Sequence, residues 1–165
     1  MTLPSVRMAD PRERPSPRAR LLWSLAAALL WVPLLVAAIV LFVFSPWPTW
    51  LHVLLVAVAA VGCAVDVGVV PQWRYRVHRW EISDTAVYTL TGWFDQERRI
   101  APISRIQTVD TERGPLERLL GLATVTVTTA SSAGAVRIPA LDLAVADAVT
   151  ARLTEITAAA REDAT

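Results

Sequence analysis

Two ionisable side chains stand inside apolar sequence, and a cluster of arginines and tryptophans follows directly behind it. These are the residues of this 165-residue chain whose type and placement could do chemistry. His52 and Asp66 fall within the run Leu51–Val70. An ionisable group in such a run is a functional suspect, as a proton carrier above all. Both lie towards its ends: Asp66 is four residues from the exit, in reach of headgroup water or the Arg74 guanidinium, and His52 borders a tryptophan-rich turn. The plainer reading is interfacial, because the cost of a polar group falls away from the bilayer centre. Trp73, Arg74, Arg76, Arg79 and Trp80 come next. They are candidate membrane-surface contacts, each arginine worth about 1 kcal/mol near an anionic leaflet, or simply topology signals and belt tryptophans. Further on, Arg105, Gln107 and Arg118 are the polar residues of a candidate partner surface.

No catalytic constellation accompanies them. Beyond Val70 the chain has one histidine, His78, no cysteine and no Gly-rich phosphate loop, and its carboxylates stand singly or at turn and cap positions. Cys63, in the apolar run, is the single cysteine, so neither a disulfide framework nor a thiol zinc site can form. No enzyme is expected, and no cofactor or metal. All 16 basic residues are arginine. Residues 1–20 carry five of them against Asp10 and Glu13, whereas residues 71–165 balance eleven against twelve acids, which argues against a nucleic-acid binder.

The elements that position these side chains begin with residues 1–20, a proline- and arginine-rich stretch expected to be a disordered basic cytoplasmic tail. Residues 21–44 then run without a charge, longer than the roughly 20 apolar residues that cross a bilayer. A cleaved leader has an apolar core of only about 7 to 15 residues followed by a small-residue cleavage site, and neither fits. Pro33 within the span is tolerable where neighbouring groups recover the freed carbonyl. Trp47 and Trp50, set among Pro46 and Pro48, make a turn at the far interface, and residues 51–70 return. Arginines flank the outer ends of this transmembrane hairpin, residues 21–70, and are missing from its turn, which places both termini in the cytoplasm of a multi-pass plasma-membrane protein.

Residues 71–160 read as one small cytoplasmic domain, held close to the inner leaflet, with residues 161–165 as a disordered tail. Alternation predicts a first strand over Gln72–Ile82, with a bulge or break near His78, and a second over Ala86–Leu90 closed by Thr91 and Gly92. Two more strands follow over Trp93–Ile100 and Ile103–Thr111, then a short helix whose Pro115 and Gly121 are its start and stop. Ala123–Thr129 has strict period two in β-branched residues and turns through Ser131–Gly134 into Ala135–Pro139. From Asp142, a plausible N-cap, the spacing becomes helical through Val145 or Ala146, Val149, Leu153 and Ile156.

Several stretches together resemble the YdbS-like bacterial PH-domain membrane proteins: Trp73-Arg74-Tyr75, Gly92 with its following aromatic, the run Ile100 to Val109 and the run Gly114 to Ala123. The resemblance covers Leu21 to about Ile156. It implies an α+β membrane protein, a two-helix transmembrane hairpin followed by a PH-like antiparallel β-barrel or sandwich capped by a C-terminal amphipathic helix, and no known ligand. The expected function is a non-enzymatic interaction module for a protein partner, a second copy of the chain, or anionic headgroups of the lipid bilayer. The alternative is an accessory subunit of a membrane transport or enzyme complex using Asp66. Stereospecific phosphoinositide binding would want a basic loop between the first two strands, where the chain has acidic Ser83-Asp84-Thr85.

Overall fold

Uninterrupted apolar sequence and good helix formers produce α1, Ala19–Phe44, with Pro33 inside it. The computed structural model describes residues 11–130 and 134–162. Ser45 donates its N–H to the Leu41 carbonyl to end α1, and Pro48 sets an extended entry to α2, Thr49–Cys63. α2 passes through a π-helical segment, Ala64–Val69, into α3, Val70–Val77, so that one rod runs from Thr49 to Val77. Both rods are long and apolar enough to cross a membrane.

The second rod corrects the predicted first strand. Gln72–Val77 is helix, and β1 is only Arg79–Ile82. Pro71 explains how the helix survives: its ring removes one backbone donor, and the Val67 carbonyl one turn earlier accepts the Ser24 hydroxyl of α1 at 2.8 Å. The break in alternation at His78 is therefore the junction between rod and sheet, with no linker beyond that residue.

Two antiparallel sheets follow. β1, β2 (Ala86–Gly92) and β3 (Gln96–Pro102) form one in that order; β4 (Ile106–Glu112), β5 (Leu122–Thr129) and β6 (Val136–Asp142) form the other. A 3-10 turn, Ile103–Arg105, joins them. Val87 and Ala101 from the first sheet meet Val125, Val127, Ile138 and Leu141 from the second. α5, Leu143–Glu162, closes this core with Ala146, Val149 and Leu153, all buried. Six strands in two sheets with a closing helix is the PH-like architecture expected. α5 extends through Arg161 and Glu162, two residues into the expected C-terminal tail. Residues 1–10 of the expected basic tail, Ser131–Ala133 of the expected turn and residues 163–165 lie outside the described residues.

The rest of residues 1–20 is no free tail. Glu13 pairs with Trp80 by two backbone hydrogen bonds of 2.9 and 3.0 Å, extending the first sheet past β1. Ser16 donates its N–H to the Ala140 carbonyl and its hydroxyl to Asp142 Oδ1, each at 2.9 Å. A bulge opens that acceptor: Ala123 pairs with Leu141 and Val125 with Ile138, so Pro139 and Ala140 together oppose Thr124. Ala140 takes a φ of 55° there. Asp142, expected as a helix N-cap, turns its carboxylate to this N-terminal strap.

Candidate functional site

The foot of the hairpin and the domain share a second apolar cluster. Ala19, Leu22 and Trp23 of α1 pack with Leu122 of β5 and Ala140 of β6, flanked by Tyr75 of α3 and by Leu116 and Leu120 of α4, Pro115–Leu120. α4 is fixed at both ends. Glu117 accepts the Gly114 N–H at 2.7 Å and the Thr124 hydroxyl at 2.7 Å, and Gly121 supplies the left-handed residue at φ 69° that ends it. The Gly-Pro-Leu-x-Arg-Leu-Leu-Gly run thus builds the joint that seats the domain on α1. Leu119 faces outward, 76% exposed.

His78 stands in this joint, 3% exposed, with its ring 5.0 Å from that of Trp23. Its Nδ1 is 2.8 Å from the Arg74 carbonyl. Burial pushes the imidazole down to about 4; the Arg74 carbonyl opposes that shift and the Arg74 charge adds to it. The ring is therefore neutral at physiological pH and donates Nδ1–H to that carbonyl. Arg74 lays its guanidinium over Trp23 at 4.5 Å, and Arg20 lies over Tyr75 at 4.9 Å.

The five expected membrane-surface residues are divided by the helical course of α3. Trp73 and Arg76, three apart, share its exposed face. Arg74 and His78, four apart, turn inward to α1 and β2. Arg79 donates to the His78 carbonyl at 3.0 Å. Trp80 packs on the core cluster and gives its indole N–H to the Arg14 carbonyl at 3.2 Å, so the strap engages it.

Arg105 and Gln107 are exposed at the start of β4, where a bulge leaves Gln107 as the extra residue. Arg118, also exposed, donates to the Arg113 carbonyl beyond the far end of that strand. Seven residues of strand, about 23 Å, separate the two positions, so they do not form one patch.

Inside the hairpin Asp66 Oδ2 accepts the Trp31 indole N–H of α1 at 2.9 Å, and its charge also acts on the Arg74 guanidinium. Gly62 makes room for it, since a Cβ there would overlap the Trp31 ring. His52, 3% exposed, sits between Phe42 at 5.4 Å and Trp47 at 6.1 Å. Fourteen residues of helix, about 21 Å, separate His52 from Asp66, too far for direct proton exchange.

Three features had no sequence signal strong enough to find them. One is the strap. The second is a cleft of about 580 Å³ between β1 and α5, lined by Arg12, Trp80, Ile82, Val145, Ala148 and Arg152 among others. Exposed Val145 had been an alternative to Ala146 as a core position; it lines this cleft instead. The third is a polar cleft of about 380 Å³ between the sheets, where Arg74, Arg99 and Arg137 meet Thr89 and Thr91. Among the described residues no group of three or more His, Cys, Asp or Glu side chains could hold a metal ion.

A profile of the family described as "Bacterial PH domain" matches residues 17–157, a stretch that spans both rods, both sheets and most of α5. The transmembrane protein YdbS of Bacillus subtilis (strain 168) is 33% identical over 141 residues, covering 84% of this chain and 87% of the relative. No solved structure matches.

Proposed function

The chain belongs to the bacterial PH domain family, and from that premise we propose that it is a membrane-anchored, non-enzymatic interaction module presenting its domain to a protein partner at the cytoplasmic face. The orientation rests on the arginines at the outer ends of the hairpin and their absence from its turn. One observation carries the partner reading: the 580 Å³ cleft beside β1 is open, apolar along α5, and bordered by a sheet edge that is only partly covered. The strap pairs with that edge through Glu13 alone, because Pro11 and Pro15, two residues to either side, have no N–H to give. A segment of a partner fits in the cleft beside the strap, with apolar side chains against Val145 and Ala148.

The carboxylates support a structural part in place of a catalytic one. Glu117 caps α4, Asp142 holds Ser16, Asp66 holds Trp31 and Glu112 pairs with Arg137 at 2.6 Å. The test is a charge placed in the cleft. Ala148→Glu in the full-length chain should leave membrane insertion intact and abolish co-purification of the partner from native membranes. Unchanged co-purification would rule out the cleft as the docking site.

A further inference from the structure

The β2–β3 hairpin ends in two adjacent aromatics that the core does not use. Trp93 is 48% exposed and Phe94 87%, with ring centroids 6.0 Å apart. Their presentation is built in. Gly92 adopts a φ of 115°, and a Cβ there would overlap the Asp95 carbonyl, so only glycine closes this turn.

The strand pairing shows where the tip lies. Arg79 follows the second rod by one residue and pairs with Leu90. β2 runs on past it through Thr91 and Gly92, and Thr91 lines one cleft with Arg74 of α3. The tip thus extends from the end of the sheet nearest the rods. Ser83–Thr85, the other turn of β2, sits at the opposite end, about 23 Å away over seven residues.

Behind the tip lies the 380 Å³ cleft. Arg99 there pairs with Glu97 at 2.7 Å, Arg137 pairs with Glu112, and Arg74 contributes a third guanidinium. Thr89 and Thr91 add hydroxyls. An aromatic pair at a bilayer interface, backed by guanidinium groups, matches the chemistry of an anionic phospholipid surface.

We infer that the β2–β3 tip is a second membrane contact, in which Trp93 and Phe94 seat among the headgroups and the cleft of Arg74, Arg99 and Arg137 takes the phosphate of an anionic glycerophospholipid. The contact rests on the membrane-spanning rods and is independent of the partner assigned to the β1–α5 cleft. It adds a leaflet contact on the β2–β3 side of the domain, next to the joint in which Arg74 lies over Trp23.

The test uses the full-length chain with Cys63→Ala, carrying an environment-sensitive fluorophore at Phe94→Cys or at Asp84→Cys, in nanodiscs. Nanodiscs of phosphatidylcholine are compared with mixtures containing phosphatidylglycerol. The label at position 94 should be blue-shifted and quenched several-fold more by nitroxide lipids than the label at 84, and more strongly with phosphatidylglycerol. Equal quenching at 94 and 84 would overturn the contact. Arg137→Gln, on an exposed side chain, should reduce the preference for phosphatidylglycerol about fivefold, the factor one arginine supplies near an anionic surface. Excess soluble glycerol phosphate should lower that preference while the label at 94 stays quenched, because the rods hold the tip at the leaflet. A preference unchanged by Arg137→Gln would overturn the headgroup assignment.

Discussion

His78 is the residue through which the junction between rod and domain senses pH. Its ordinary value is 6.5 and its folded value about 4. Between these the unfolded chain binds the proton and the folded one does not. Stability from this group is therefore complete above about pH 6.5 and lost as pH falls towards 4, by on the order of 3 kcal/mol. Thermal unfolding in detergent should show that slope, and His78→Gln should flatten it; an unchanged slope would move the effect elsewhere. Asp66 makes a different prediction. Its bond to Trp31 is a helix–helix contact of about 1 kcal/mol. Asp66→Asn retains an acceptor and should match wild type in detergent stability, while Asp66→Leu should lose about that amount. Proton flux in reconstituted vesicles should be absent in all three, and flux that Asp66→Asn removes would restore the transport reading.

Among the elements, the N-terminal strap and α4 decide how the domain is held. Ser16→Ala removes the hydroxyl that binds Asp142 and accepts the Arg18 N–H, a loss of about 1 kcal/mol. Trypsin should then cut faster after Arg12 while the rods stay intact, and an unchanged rate would show that the strap is held by other bonds. The strap was hidden in the sequence because prolines and arginines carry no periodicity, and its bonds are to backbone groups more than 60 residues away, such as Trp80 and Ala140. α3 departs from its sequence pattern for a related reason. Trp73, Tyr75 and Val77 alternate with arginine as a strand would, but Ser24 on another helix rescues the carbonyl that Pro71 frees, and a tertiary contact overrides the local pattern. β5 and α4 were legible because their signals are local: strict β-branched alternation in one, and Pro115 with Gly121 in the other. Of the candidate residues, Trp73 and Arg76 lie exposed at the end of the rod, whereas Trp80 went to the strap, and the Trp93–Phe94 tip was absorbed into a strand because exposure cannot be read from residue type.

At the scale of the whole molecule, the hairpin does more than supply an address. α1 enters the domain's second apolar cluster, the second rod passes into β1 through His78 alone, and the strap returns from the start of α1 to the edge of β1. Three attachments hold the domain in one orientation, and with it the β1–α5 cleft. That orientation is what makes a fixed docking site useful, since a preoriented surface loses less freedom on binding. The central claim is that this cleft receives a protein partner. It is tested most directly by a photo-crosslinking residue at Ala148 in the full-length chain in native membranes, with the same residue at exposed Asp110 as the control. A single adduct of defined mass from position 148, missing at 110, is the result expected; a mass of twice the chain would identify the partner as a second copy. No adduct at 148, or the same pattern from both positions, would contradict the account.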